Sequence, residues 1–213
     1  DSLFGKLTGV QAYQDDILIY AESWYEHNHI LEKVLSILKE KGMTLRRNKC
    51  VFAVQELEYL GHTLTATGIK PKLSLVEAIT KATQPLDRDA LRSFLGLAEY
   101  YARFVRNYAM IVEPLRNLLK KGVKYEWSPD LEKAFTQVKE MIVSAPALKP
   151  YTQGHTCIIT VDASIIGVGA VLSQLVNGKE NTVAFASRSL SSAEIQCSTI
   201  ESEALAWAWA VEV

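Results

Sequence analysis

Cysteine is scarce in this chain, and the three present are isolated. Cys50, Cys157 and Cys197 are odd in number and stand in no CxxC or Cys/His spacing. A disulfide framework and a zinc site are thereby excluded as organising devices, and a reducing compartment is expected. Long hydrophobic runs are also missing: the longest apolar stretch, 204–211, is far too short to cross a bilayer. Neither sign of charge dominates, with a formal net charge of −1, so bulk electrostatics does not announce a nucleic-acid partner. There is no internal repeat and no low-complexity tract. No secretory leader is visible, and the chain opens on Asp1 without an initiator Met.

What is present is the composition of an ordinary globular protein. The 213 residues suffice for one large domain or two small ones with real cores. Positive charge is clustered although it is balanced overall. Lys39, Lys41, Arg46, Arg47 and Lys49 form one group, Lys70 and Lys72 a second, and Lys120, Lys121 and Lys124 a third. Such groups are more often solvated helix ends than phosphate contacts, so the composition permits nucleic acid without requiring it.

Periodicity divides the chain into three stretches. Gly9 to Tyr13 and Ile17 to Tyr20 favour strand, through β-branched and aromatic residues. Residues 27–41 read as an amphipathic helix on Ile30, Leu31, Val34, Leu35 and Leu38, ended by Gly42. Residues 50–52 and 57–64 read as short strands. From 74 to 146 the pattern is helical, with helices expected at 74–83, 87–105, 113–121 and from Ser128 to Met141. Ser128-Pro129-Asp130 supplies an N-cap, an N1 proline and a first-turn acid. Beyond Thr156 strands return at 157–161, 168–175 and 182–186, the last two joined by Asn177-Gly178, a strong hairpin signal. Ser191-x-x-Glu194 and Ser198-x-x-Glu201 are capping-box patterns, and the second opens a helix that runs to the chain end. A start without Met and an end inside a helix suggest a piece of something longer.

Three acidic features could carry chemistry. Asp15 and Asp16 are adjacent carboxylates preceded by Tyr13-Gln14, between the first two strands, so they are expected at or near a hairpin tip. Vicinal carboxylates repel each other, and a divalent cation such as Mg²⁺ relieves that strain. An isolated Asp-Asp is nonetheless more often an ordinary acidic turn. Asp162 ends the 157–161 strand, where it either caps the strand through an Asx turn or projects into a site. Glu201 and Glu203 lie on the last helix beside Trp207 and Trp209, and surface glutamates on helices are routine.

Together, however, these segments resemble a known family. Tyr13-Gln14-Asp15-Asp16 followed by Ile17-Leu18-Ile19-Tyr20 is similar to the YxDD motif of reverse transcriptases. His27, Lys49-Cys50 and Tyr59-Leu60-Gly61-His62 fall where gypsy-type long-terminal-repeat retrotransposons carry their H, KC and FLGH elements. Leu91 to Leu97, Tyr100-Tyr101 and Arg103-Phe104 resemble that group's LRSFLGL…YYRRF run. Trp127, Ala134-Phe135 and Pro146-Ala147-Leu148 resemble its W…AF…PxL segment. Val161 to Ser164, Gly167 to Gln174, Ser187 to Leu190 and Glu203 to Ala206 resemble its ribonuclease H region. The set runs in order along essentially the whole chain.

The resemblance implies an α+β fold in three parts. Residues 1–72 would be the C-terminal part of a reverse-transcriptase palm with its primer grip. Residues 73–150 would be a helical thumb and connection, and 151–213 the N-terminal half of a ribonuclease H-like domain with a mixed sheet. Asp15 and Asp16 would be polymerase carboxylates holding Mg²⁺, two ions per active site, or Mn²⁺ in its place. Tyr13 would contact nucleic acid, and so would Tyr59, Leu60, Gly61 and His62 as the primer grip, where the glycine admits close backbone approach. Asp162 and Glu203 would be ribonuclease H acids and metal ligands. Glu203 is preferred to Glu201 because of the residues that follow it, since periodicity does not separate the two.

Implied partners are an RNA template, a DNA primer, their hybrid, deoxynucleoside triphosphates and the rest of a Pol polyprotein, with no membrane. The setting would be intracellular, in a cytoplasmic retroelement particle or the nucleus. Gln14 stands where the family more often has an apolar residue, with a modest effect expected. The third polymerase carboxylate and the remaining ribonuclease H acids are expected outside these 213 residues, so the isolated chain should have no robust activity. Two alternatives stand beside this reading. A degenerate relic would retain at most nucleic-acid binding. A cellular ribonuclease H-like domain with an unrelated extension would not account for the YxDD and YLGH segments.

Overall fold

A computed structural model gives the fold of residues 3–5 and 7–213, which divide into two units, Asp1–Val54 and Gln55–Val213. In the first unit, β1 (Val10–Tyr13) pairs antiparallel with β2 (Asp16–Ile19), and Val10 lies opposite Ile19. The following helix α1 (Trp24–Glu40) starts earlier than its apolar periodicity indicates, because the Ser23 side chain accepts from Glu26 N at 3.2 Å. Its end is a Schellman motif, with Met43 N bonded to Leu38 O and Gly42 at φ +67°. The apolar stripe Ile30, Val34 and Leu38 packs with Phe4 and Val10 into a small core. Burial of such side chains stabilises by roughly 1.5–3 kcal/mol each.

The strand expected at 50–52 does not form. Arg47–Lys49 is a single 3-10 turn, and Val51 and Phe52 are exposed with no ladder partner among the described residues. Apolar, β-branched residues alone do not make a strand; a second strand must accept its hydrogen bonds.

The second unit opens with a three-stranded antiparallel sheet of β3 (Glu56–Tyr59), β4 (His62–Thr65) and β5 (Gly68–Pro71). The run at 57–64 is therefore a hairpin and not one strand, turning at Leu60-Gly61. Helices α2 (Leu73–Lys81), α3 (Arg88–Glu99), α4 (Tyr108–Leu118) and α5 (Pro129–Val143) follow. Their shared core includes Leu91, Phe94, Tyr101, Phe104, Tyr108, Val112, Leu115, Phe135 and Val138, with Phe94 and Phe135 rings 4.5 Å apart. Helix α4 begins five residues before the expected 113. Pro114 lies within it.

Beyond the helices, Leu148 is fully buried and exchanges backbone hydrogen bonds with Ile69 of β5. The last sheet contains β6 (Thr156–Ala163), β7 (Gly167–Val176) and β8 (Lys179–Ser189), antiparallel throughout. Asn177 and Gly178 both take positive φ, as the two-residue hairpin requires. Helix α6 (Thr199–Glu212) packs on one face of this sheet through Ala206, against Val168 with Val161 and Ala163 alongside. Helix α4 lies against β8 and β7, and Phe185 of β8 reaches the helical core. The architecture is α+β.

Candidate functional site

Residue pairing at the first hairpin follows from its length. Tyr13 lies opposite Asp16, so Gln14 and Asp15 form a two-residue turn. Gln14 takes φ +51°, a left-handed conformation that costs a side-chain-bearing residue about 1–2 kcal/mol. Asp15 is thus in the turn itself and Asp16 is the first residue of β2, both exposed at the tip. Among the described residues neither carboxylate has a hydrogen bond or an ion pair. The exposed Tyr13 ring stands on the opposite strand. The expected tip position is observed.

A second turn, Leu60-Gly61 between β3 and β4, has both residues at positive φ, +47° and +72°. Helix α3 and the residues after it hold this turn from one side. Tyr100 Oη donates to Leu60 O and Tyr101 Oη donates to Gly61 O at 3.0 Å. A Cβ on Gly61 would come within 2.6 Å of Tyr100 Oη. Glycine is demanded here by the turn and by the tyrosine ring packed against it, a reason visible without any primer strand. His62 stacks on Tyr100 with centroids 5.2 Å apart and also meets Tyr101 and Phe104. Burial, aided by the Arg103 charge, pushes its pKa below the usual histidine value. Leu60, by contrast, is exposed.

The third candidate, Asp162, lies opposite Gly169 on β7, which in turn lies opposite Ser187 on β8. These three positions form one row on the sheet face opposite the one α6 covers. Asn107, which precedes α4, donates from Nδ2 to Asp162 Oδ2 at 3.1 Å.

On α6 the two glutamates are separated by their surroundings. Glu201 is engaged in the Ser198 capping box, where its carboxylate accepts from Ser198 N and Oγ at 2.8 Å; these bonds lower its pKa. Glu203 is exposed and, among the described residues, makes no hydrogen bond or ion pair. It stands three and seven residues before the buried Ala206 and Ala210, beside the helix face that packs on the sheet. With that face known, helical phase does distinguish the two.

Asp15, Asp16, Asp162 and Glu203 all offer hard carboxylate oxygens to solvent, the donor chemistry a divalent cation such as Mg²⁺ takes. Among the described residues no three His, Cys, Asp or Glu side chains converge into a metal-holding group.

Two stretches of the chain match known families. Residues 2–64 match the family model for reverse transcriptase (RNA-dependent DNA polymerase), and residues 127–213 match that for an RNase H-like domain found in reverse transcriptase. The chain carries a reverse transcriptase segment and an RNase H-like segment of the kind found in reverse transcriptases. The chain is 38% identical to the retrovirus-related Pol polyprotein from transposon 297 of Drosophila melanogaster, over 94% of its own length and 19% of that protein. It is 33% identical to the transposon Tf2-3 polyprotein of Schizosaccharomyces pombe, over 94% of itself and 15% of the relative. It thus spans less than a fifth of these relatives' length.

Among solved structures, it is similar to foamy viral protease-reverse transcriptase in complex with dsDNA, with a TM-score of 0.88 and 25% identity, covering 98% of this chain and 44% of that one. A structure of the same viral protein with an RNA/DNA hybrid gives a TM-score of 0.87, also at 25% identity, covering 98% and 28%. Reverse transcriptases and their RNase H domains generally use divalent metals. The first model includes Asp15, Asp16 and the Leu60-Gly61 turn; the second includes Asp162 and Glu203.

Sequence reasoning assigned no role to the hydroxyls of Tyr100 and Tyr101, although the pair itself was conspicuous, and it passed over Asn107. The available signal for Asn107 was an asparagine just ahead of an apolar helical stripe, hidden because the helix was expected to start at Glu113.

Proposed function

We propose that this chain carries the metal-binding hairpin and primer grip of a gypsy-type retroelement polymerase, followed by the opening portion of its ribonuclease H. In this reading 1–72 is palm, 73–150 thumb and connection, and 151–213 the first half of the nuclease domain. The observation that carries the proposal is the two-residue Gln14-Asp15 turn, which leaves two adjacent, exposed carboxylates, unpaired among the described residues, at the hairpin tip. Asp15 and Asp16 would hold Mg²⁺, and Asp162 with Glu203 would hold the nuclease metals. Bound there, divalent ions would stabilise charge on attacking and leaving oxygens in nucleotidyl transfer and in hydrolysis.

The protein's own groups do the placing. Tyr13 lies on the strand paired with the one that carries Asp16, and the Leu60-Gly61 turn, braced by Tyr100 and Tyr101, would support the primer end. The partners would be RNA template, DNA primer, RNA–DNA hybrid and deoxynucleoside triphosphates, within an intracellular Pol polyprotein. Alone, with two carboxylates per site, the chain would bind Mg²⁺ weakly and have no robust activity.

Mutations in a longer Pol enzyme containing this chain provide the test. Asp15→Asn with Asp16→Asn should abolish DNA synthesis and spare hybrid cleavage, and Asp162→Asn should do the reverse. Survival of both activities in both variants would refute the assignments.

A further inference from the structure

Asn107 presents an unusual economy of hydrogen bonds. An asparagine just before a helix ordinarily turns its side chain back to accept from the second or third backbone amide of that helix. Asn107 does not: it makes no side-chain cap bond, and its backbone is left-handed at φ +56°. The amide it would have capped, Ala109 N, is bonded instead to Ser187 Oγ of β8 at 2.9 Å. Relieved of capping, the Asn107 side chain is directed onto the sheet, where Nδ2 donates to Asp162 Oδ2.

The sheet accommodates it by omission. Gly169 sits between Asp162 and Ser187 in the same cross-strand row, and a Cβ there would collide with Asn107 Oδ1. Three separate features therefore serve one contact: a left-handed asparagine, a serine from another strand acting as the cap, and a glycine clearing the space. Asparagine suits the backbone because it tolerates positive φ better than other side-chain-bearing residues.

We propose that Asn107, at the start of a helix in the thumb and connection stretch, is a positioning residue for the Asp162 carboxylate. Its bond to Oδ2 fixes the orientation of the carboxylate and leaves Oδ1 for the reaction site. The orientation of a nuclease acid is thus set from outside the nuclease sheet. This rests on the reading of Asp162 as a ribonuclease H acid, and the experiment separates the two.

In a longer Pol enzyme containing this chain, Asn107→Gly keeps the left-handed backbone and removes the donor. Hybrid cleavage should lose kcat by about ten- to a hundredfold, the range for partners that orient metal-site ligands. Its KM, the hybrid Kd measured without divalent metal, and DNA synthesis should each stay within about twofold of wild type, a small change on the free-energy scale. Asn107→Asp, which keeps the side-chain volume but offers an acceptor to an acceptor, should show the same selective loss if the glycine variant folds poorly. Gly169→Ala, which evicts Asn107, should reproduce it.

Ser189→Ala is the control for docking alone, since it removes a helix-to-sheet bond, Ser189 Oγ to Glu113 Oε2, remote in sequence from Asp162; cleavage should stay near wild type. Full cleavage in both Asn107 variants alongside a dead Asp162→Asn enzyme would overturn the inference and leave the Asp162 assignment standing. An equal loss in Ser189→Ala would also overturn it, by reducing Asn107 to a docking contact. Active Asp162→Asn enzyme would remove the assignment and the inference together.

Discussion

A histidine wedged among Tyr100, Tyr101 and Phe104 does not accept a proton as readily as one in water. Burial first, and the Arg103 charge second, lower the pKa of His62 in the folded chain from 6.5. The sign of the linkage follows. At a pH well above 6.5 the residue is neutral whether the chain is folded or not. As pH falls through 6.5 the unfolded chain takes the proton first, so stability declines until the folded pKa is also passed. Denaturant melts between pH 7.5 and 5.5 should show this loss, and His62→Gln should flatten it, while lowering stability at neutral pH through the lost ring stacking. At this scale the sequence was legible where chemistry is local. The Asp15-Asp16 tip could be read from turn propensity and flanking strands. The engagement of Asp162 by Asn107 could not, because it joins residues 55 positions apart across a contact that only the folded sheet creates.

Elements were legible where their ends carry their own hydrogen-bonding instructions. Ser128, Ser198, Gly42 and Asn177-Gly178 each act where expected. Misreadings came where tertiary pairing decides: the hairpin at 57–64, the unpaired 50–52 segment and the early start of α4. Capping gives a direct prediction. Ser198→Ala should destabilise α6 by about 1 kcal/mol, because the hydroxyl that accepts from Glu201 N and donates to Glu201 Oε2 is lost, leaving only the backbone bond from Ser198 N to the Glu201 carboxylate. Thermal denaturation followed by circular dichroism would measure it. Nearby, Arg188 grips Glu194 through two 2.9 Å bonds, which pull the Glu194 pKa down to about 2. Gly68 is a second test. It sits at φ +139° with no space for a Cβ beside the Leu148 carbonyl, so Gly68→Ala should lower stability by more than about 1 kcal/mol, measured by urea denaturation.

The whole molecule divides in a place that its motifs do not mark. The two units meet at Val54 and Gln55, after a stretch whose Met43, Leu45, Val51, Phe52 and Val54 are all exposed. Proteolysis favours such segments. Brief digestion with chymotrypsin should therefore cut within 43–54 and leave a resistant fragment beginning near Gln55 that still unfolds cooperatively; rapid loss of that fragment would contradict the division. This boundary was hidden in the sequence because apolar residues that lack a ladder partner look the same as residues inside a strand.

The bridge between Ile69 and Leu148 bears on synthesis. Leu148 is fully buried in the helical core and supplies the backbone partner for the outer edge of β5. A ribosome making this protein must therefore translate all four helices, α2 to α5, before that edge can close. Until residue 148 clears the exit tunnel, the small sheet presents an unpaired strand to its surroundings, so the interval spent translating residues 72–148 is when the nascent chain is most exposed to edge-to-edge association.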